Sequence, residues 1–160
     1  MLTGPEIVAT LSELGVTHVI WVPDSVTGPW ESALDASENL RLIRVCREGE
    51  AWPLSAGLYL GGKSPLVMMQ TTGLFESGDA LRNVLFDLRL PLYSLVGVRN
   101  WINSGSKDTA RHFAEPILKA WGLDCAWLAT PEDRSKLAEH YWRCRRANIP
   151  GAALLAEGAP

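Results

Sequence analysis

The 160-residue sequence has few cysteines, no long apolar run and no excess of positive charge. Its cysteines, Cys46, Cys125 and Cys144, lack the spacing of a metal or redox motif, which favours reduced thiols in the cytoplasm. No stretch approaches the roughly 20 apolar residues of a membrane helix, and the first residues do not resemble a signal peptide. The formal net charge of −3 argues against a nucleic-acid-binding protein. We therefore expect a cytoplasmic protein that binds neither membranes nor nucleic acid.

The motifs of common nucleotide-binding proteins and hydrolases are also absent. No G-x-G-x-x-G follows a predicted strand, and neither G-x-x-x-x-G-K-[ST] nor G-x-S-x-G occurs. The Gly61–Ser64 stretch resembles the end of a phosphate-binding loop, but it follows a predicted helix and precedes a strand, which indicates a turn. The histidines lack metal-ligand spacing, and we expect His18 within a strand and His140 on a solvated helix face. The sequence therefore predicts no metal site in this chain.

The sequence does contain a regular alternation of predicted strands and helices. Hydrophobic residues make up 47% of it and charged residues 21%, as in an ordinary globular domain. The predicted strands are His18–Val22, Leu40–Val45, Pro65–Met69, Pro91–Val98, Cys125–Leu128 and Ala152–Ala156. The main predicted helices between them are Trp30–Ala36, Glu48–Gly62, Ser77–Leu88, Phe113–Trp121 and Pro131–Ala147, after a first helix that begins at Thr3. This alternation predicts an α/β fold: one three-layer domain over residues 1–160, with a parallel sheet of about six strands and helices on both faces.

Functional residues of such sheets lie just beyond the carboxyl ends of the strands. This rule selects four loops: Pro23–Pro29, Cys46–Glu50, Gln70–Glu76 and Arg99–His112. In the second of them, Glu48 stands at the start of a helix. Taken alone, a carboxylate at that position is typical of a favourable interaction with the helix dipole.

The residues that follow Glu48 form a more specific pattern. After Glu48 come an Ala-Gly pair with its glycine nine positions later, a Gly-Lys turn, an apolar strand and a glutamine: Ala56-Gly57, Gly62-Lys63 and Gln70. In order and spacing this stretch resembles the pyrimidine-binding (PYR) domain of thiamine-diphosphate-dependent enzymes. More narrowly, it resembles the alpha subunit of sulfopyruvate decarboxylase and the matching part of phosphonopyruvate decarboxylase.

The resemblance implies a cofactor and its contacts. Thiamine diphosphate reacts as a carbon-2 ylide, and its aminopyrimidine must first shift to the imino tautomer. A carboxylic acid bonded to the far ring nitrogen drives that shift, and the resemblance assigns this catalytic role to Glu48. It also implies cofactor contacts from Gln70, Gly73 and Leu74.

Glu50 is the competing carboxylate. It lies seven residues before Gly57, whereas the pattern requires the nine that separate Glu48 from Gly57. This spacing favours a role for Glu50 at the helix start or in contact with a partner.

The resemblance also implies a partner subunit. In these enzymes Mg²⁺ and the diphosphate are held by a Gly-Asp-Gly segment followed by an asparagine, and the nearest string here, Gly78–Ala80, lies in a predicted helix. A beta subunit with a diphosphate-binding domain would supply that site, in a heterotetramer or larger assembly. We expect Trp30, Trp52 and Phe75, near the candidate loops, to be exposed rings that the partner covers.

Substrate contacts are implied in three of the loops. The expected substrate is a small anionic 2-oxoacid, with Ser25 and Gln70 as polar contacts. Arg99 is a candidate for binding the substrate carboxylate, because guanidinium geometry suits a bidentate bond. His112 is a candidate proton carrier near neutral pH.

The Gln70–Glu76 loop departs from the family pattern. The relatives have Gln-Asn-Ser-Gly-Leu-Gly-Asn, whereas Phe75 and Glu76 here replace the second glycine and the last asparagine. Beside the substrate, these residues would work against a sulfonate or phosphonate group. Alternatively, Glu76 points away and lies next to a helix N-cap; the sequence leaves both alternatives open.

We therefore expect the alpha subunit of a thiamine-diphosphate-dependent 2-oxoacid decarboxylase, a carboxy-lyase that is active only with its partner. A carboligase subunit would use the same residues. A non-catalytic regulatory or binding module on the same fold is a third alternative, but a purely structural role would not require a carboxylate at Glu48.

Overall fold

The chain folds around one sheet of six parallel strands, as the sequence predicts. The computed structural model describes residues 1–158. The strands are β1 (His18–Trp21), β2 (Arg41–Arg44), β3 (Pro65–Gln70), β4 (Tyr93–Val98), β5 (Asp124–Leu128) and β6 (Gly151–Ala156). Their order in the sheet is β2-β1-β3-β4-β6-β5, and every neighbouring pair is parallel.

Helices cover both faces of the sheet and complete a three-layer α/β arrangement. They are α1 (Gly4–Glu13), α2 (Glu31–Asp35), α3 (Glu48–Leu60), α4 (Thr71–Glu76), α5 (Gly78–Arg82), α6 (Ala114–Ala120) and α7 (Arg134–Ala147). Helices α1, α2 and α7 contribute to one apolar core, and α3 to α6 contribute to the other. None of the helices in residues 1–158 combines the length and the apolar character needed to cross a bilayer.

Strand β3 shows how the sequence produces two cores. Leu66 and Met68 belong to the core under α1, α2 and α7, whereas Val67 and Met69 belong to the core on the opposite face. All four side chains are fully buried. Successive strand residues point to opposite faces, and both faces are covered, so the strand is a continuous apolar run.

The strand order creates a crevice at the carboxyl edge of the sheet. After β1 the chain moves outward to β2, and it then returns to place β3 on the other side of β1. Ligands of open α/β sheets bind at such a reversal. The turn after β1 and helix α4 after β3 both start at this position.

Three expectations about the helices are wrong. The predicted loop Gln70–Glu76 is helical from Thr71, so α4 follows β3 directly. Within the predicted helix Glu48–Gly62, Pro53 favours a regular start near Glu50 that would place the proline in the first turn, whereas α3 begins at Glu48 with Pro53 inside it. Because Pro53 is exposed, water can reach the carbonyl that lacks its usual amide donor. The predicted helix Ser77–Leu88 is divided into α5 and a π-helical turn at Asn83–Asp87.

Two tryptophans expected at a partner surface lie in the core instead. Trp30 and Trp52 are each 1% exposed. The indole N–H of Trp30 donates to the Leu2 carbonyl at 2.7 Å, and that of Trp52 donates to the Ser77 hydroxyl at 3.0 Å. Both rings therefore have their polar atom satisfied inside the chain. Phe75 is half-buried.

His140 is also buried rather than solvated, with 3% of its surface exposed. Its Nδ1 lies 2.6 Å from the Tyr93 hydroxyl, and its Nε2 lies 3.5 Å from a carboxylate oxygen of Asp124. Tyr93 and Asp124 begin β4 and β5, so this network lies at the amino edge of the sheet, opposite the crevice. Polar partners at both ring nitrogens make the burial of the imidazole possible.

Candidate functional site

The side chain of Glu48, the first residue of α3, lies directly against Gly73 of α4. A Cβ atom on Gly73 would lie 2.5 Å from both Cγ and Oε1 of Glu48. Gly73 is buried and Glu48 is half-buried. Only glycine leaves room for this side chain, so the contact between α4 and α3 determines where the carboxylate sits.

Within residues 1–158, the Glu48 carboxylate accepts no hydrogen bond and forms no ion pair. Its neighbours are engaged: the Gly49 amide donates to Glu76 at 2.9 Å, and Arg47 forms an ion pair with Glu76 at 2.5 Å. A half-buried carboxylate at a helix start, with both oxygens available, can accept a hydrogen bond from a ligand N–H or share a proton with it.

Glu76 is the last residue of the neighbouring helix α4, and its carboxylate binds the amino end of α3. The Arg47 guanidinium, followed by the Gly49 amide, holds the pKa of the Glu76 carboxyl below its usual range. The second alternative, a carboxylate that points away, does not describe this geometry, because the Glu76 carboxylate is bound at the start of the helix that begins with Glu48. The first alternative stays a prediction. Glu76, Arg47 and Gly49 are called the α3 clamp below.

The competing carboxylate, Glu50, has a local partner. It lies in the first turn of α3, and its Oε2 accepts a hydrogen bond from the Cys46 amide at 3.1 Å. This bond satisfies a backbone donor just before the helix, which is a helix-start role.

Gln70 and Arg99 line one narrow cleft beside the start of α4. The other residues of the cleft are Thr71, Thr72, Asp108, Ala110 and Arg111. The Nε of Arg99 donates to Asp108 at 2.9 Å, and this bond lowers the pKa of the Asp108 carboxyl. Within residues 1–158 the terminal nitrogens of Arg99 have no partner, and 49% of its side chain is exposed. Arg99 can therefore still bind one carboxylate.

Arg111 shapes the loop after β4, and sequence reasoning assigned it no role. Its guanidinium donates to four backbone carbonyls of this loop: Asn100, Asn103, Ser104 and Ser106. Its Nε is buried without an acceptor in residues 1–158. The sequence gives no periodic signal for such contacts, because their partners are backbone atoms.

The other three predicted site residues lie apart from these contacts. Ser25 is exposed in the turn after β1. His112 is exposed and lines a separate surface depression with Trp101, Ser104 and Arg111. The Leu74 side chain is fully buried in the core. The structure thus brings Glu48 to Gly73, and Gln70 to Arg99.

One cluster of metal-type donors occurs within residues 1–158, namely Asp124, His140 and Cys144. It belongs to the buried network at the amino edge, where Arg143 also forms an ion pair with Asp124 at 2.7 Å. Burial raises the pKa of the Cys144 thiol to about 11, which keeps it protonated. The expectation that this chain holds no metal stays a prediction.

Comparison with known proteins identifies relatives that match most of this chain. No family model matches the sequence. A phosphonopyruvate decarboxylase from Streptomyces hygroscopicus is 30% identical over 166 residues, which cover 99% of this chain and 41% of that protein. A sulfopyruvate decarboxylase subunit alpha from Methanocaldococcus jannaschii is 24% identical over 109 residues, which cover 67% of this chain and 64% of that subunit. The chain is thus similar to phosphonopyruvate decarboxylases over nearly its whole length and to sulfopyruvate decarboxylase alpha subunits over much of it.

These similarities confirm the resemblance predicted from the pattern between Glu48 and Gln70. A second phosphonopyruvate decarboxylase, from Streptomyces viridochromogenes, is 28% identical over 165 residues. The chain spans about two fifths of the length of these two relatives, at 41% of each. These two phosphonopyruvate decarboxylases are therefore much longer than the part that matches this chain.

Proposed function

We propose that this chain is the PYR-domain alpha subunit of a thiamine-diphosphate-dependent 2-oxoacid decarboxylase. The observation that carries the proposal is the Glu48 carboxylate, which lies against Gly73 and has no partner in the described residues. The names of the relatives, phosphonopyruvate decarboxylase and sulfopyruvate decarboxylase subunit alpha, support the reaction class.

The residues at the carboxyl edge fit the pyrimidine end of the cofactor. Glu48 offers an uncommitted carboxyl group that can give a proton to a ring nitrogen and take it back. Gln70 and Gly73 would lie beside it, since both belong to the β3–α4 connection. When bound, thiamine diphosphate supplies the electron sink for the loss of CO₂. The terminal nitrogens of Arg99 would hold the substrate carboxylate, with Ser25 and His112 as further substrate contacts.

The diphosphate end requires a second chain under this proposal. The one cluster of metal-type donors in residues 1–158 lies at the opposite edge of the sheet, away from Glu48. Two relatives of this chain are themselves named a subunit alpha. We therefore infer a beta subunit that holds Mg²⁺ and the diphosphate, with each cofactor at the interface between the two subunits.

Cofactor binding by the purified chain tests the divided site. Isothermal titration calorimetry with thiamine diphosphate and Mg²⁺ should show weak binding or none, because the diphosphate carries most of the cofactor's charge and the proposal assigns its site to the beta subunit. Addition of the beta subunit should produce tight binding. Sub-micromolar binding by this chain alone would contradict the proposal.

The role of Glu48 is tested with two matched variants in the assembled enzyme. Glu48→Gln keeps the size of the side chain but removes its acid proton, so decarboxylation should be lost while folding and assembly are retained. Glu50→Gln removes a carboxylate two residues away, and most of the turnover should remain. Activity retained in Glu48→Gln and lost in Glu50→Gln would assign the role to the other carboxylate.

A further inference from the structure

The arginines at the carboxyl edge are already engaged within the chain. Arg47 is paired with Glu76, and Arg99 donates through Nε to Asp108. Arg111 uses its terminal nitrogens on the carbonyls of its own loop. Among these three groups Nη1 of Arg47 has no partner in residues 1–158, but Arg99 alone keeps both of its terminal nitrogens for a ligand. That pair matches one carboxylate.

The amino end of α3, where a second anion could bind, is also occupied. Backbone N–H groups and the helix dipole make such an end attractive to sulfonate or phosphonate oxygens. Here Glu76 already accepts the Gly49 amide at 2.9 Å. A second acidic group on the substrate would have to displace this carboxylate and break its ion pair with Arg47.

The balance of charges next to the proposed site also disfavours a second acidic group on the substrate. The contacts around α3 and the cleft contain four carboxylates, on Glu48, Glu50, Glu76 and Asp108, against the guanidinium groups of Arg47, Arg99 and Arg111. An additional anion would meet like charge at close range, which disfavours binding.

We infer that the substrate is a 2-oxoacid with a single acidic group and an uncharged side chain, and that the α3 clamp excludes substrates with a second acid. This inference rests on the proposed function. It separates the chain from the phosphonate and sulfonate substrates that the names of its relatives indicate.

Substrate competition in the assembled enzyme tests the inference. The complex is isolated through a tag on this chain, supplied with thiamine diphosphate and Mg²⁺, and assayed for CO₂ release from 2-oxobutanoate, sulfopyruvate and phosphonopyruvate. We expect kcat/KM for 2-oxobutanoate to exceed the other two by about tenfold or more. A preference for sulfopyruvate or phosphonopyruvate overturns the inference and leaves the proposed function standing. Release of CO₂ from none of a wider panel of 2-oxoacids overturns both.

Two variants test the carboxylates invoked above, Glu76 in the α3 clamp and Asp108 in the cleft. Glu76→Gln frees Arg47 and removes one negative charge, so kcat/KM for phosphonopyruvate should rise by about tenfold relative to 2-oxobutanoate. Asp108→Asn releases Nε of Arg99 without touching α3 and should shift the same ratio in the same direction. Glu13→Gln, which removes a carboxylate from the ion pair with Arg134 elsewhere on the surface, should leave the ratio unchanged. An equal change for both substrates in Glu76→Gln and Asp108→Asn would show that these carboxylates only support the fold.

Discussion

At Gly73 the missing side chain is what allows Glu48 to reach its position. The two residues are 25 positions apart in the sequence, and the space that a Cβ would fill is taken by the Glu48 carboxylate and its Cγ. The backbone of Gly73 does not have a positive φ, so the glycine is needed for space rather than for conformation.

Gly73→Ala should therefore impair catalysis through Glu48. The added methyl group would force the carboxylate away by an ångström or so, and displacements of that size reduce rates by about 100-fold. The decarboxylation rate of the assembled enzyme measures this effect. Unchanged activity would show that the position of Glu48 is not fixed by α4.

Gly57→Ala is the matched control for stability. Gly57 also lies within a helix, but a Cβ there would meet no atom within 4 Å. Alanine is favoured over glycine inside helices by about 1 kcal/mol, so Gly57→Ala should raise the free energy of unfolding. Gly73→Ala should lower it, because the added Cβ would lie 2.5 Å from atoms of the Glu48 side chain. Urea denaturation of the two variants measures the difference.

At the scale of elements, α4 illustrates where the sequence misleads. Two threonines and a glycine open the segment, and all three are poor helix formers, so the pattern indicates a loop. The helix forms because its residues find tertiary partners. The Thr71 hydroxyl donates to the Gly97 carbonyl at 3.2 Å, and Leu74 is fully buried.

The strands were predictable for the opposite reason. Strands β1, β3, β4 and β6 are mainly apolar runs whose burial is decided by their own composition, so their positions and the parallel sheet follow from the sequence. The pattern around Glu48 could be recognised because its spacing to Gly57 and Gln70 lies within one stretch of chain, and the role of Glu48 stays a prediction. The partner of Glu76 could not be predicted, because Arg47 is 29 residues away in the sequence. Tertiary contacts decide in which direction the Glu76 carboxylate points.

The packing of α7 on β4 and β5 should make stability depend on pH. Burial lowers the pKa of His140, which faces Tyr93 of β4 and Asp124 of β5, with Arg143 and Cys144 nearby on its own helix. As the pH falls below about 6.5, the unfolded chain takes up a proton that the folded chain resists, so stability decreases.

Thermal unfolding between pH 7.5 and 5.5 measures this dependence. The melting temperature of the unmodified chain should fall with pH, and the slope should be smaller in His140→Gln. Part of the slope should survive, because burial also lowers the pKa of His18. An identical slope in the variant would show that His140 does not contribute to it.

At the scale of the whole molecule, we predict an even-numbered assembly with the beta subunit, because the cofactor must contact both halves at once. Light scattering of the co-expressed pair should give the mass of a heterotetramer or larger. The rings available for a partner differ from those expected, since Trp101 and Phe113, at 39% and 54% exposure, lie in or just after the loop that follows β4. A stable, fully active monomer of this chain would contradict the prediction.

The two outer strands of the sheet determine how such an assembly can form. Strand β2 has four residues, with arginines at both ends, and Arg44 is held by Glu31 and Asp35 of α2. Trp127 of strand β5 is covered by Trp101, which stacks on it with 4.1 Å between the ring centroids. Short, charged or covered border strands resist the addition of a foreign strand, which is the first step of β-aggregation. Association through a continuous intermolecular sheet is therefore disfavoured, and subunits are left to join through helices and loops.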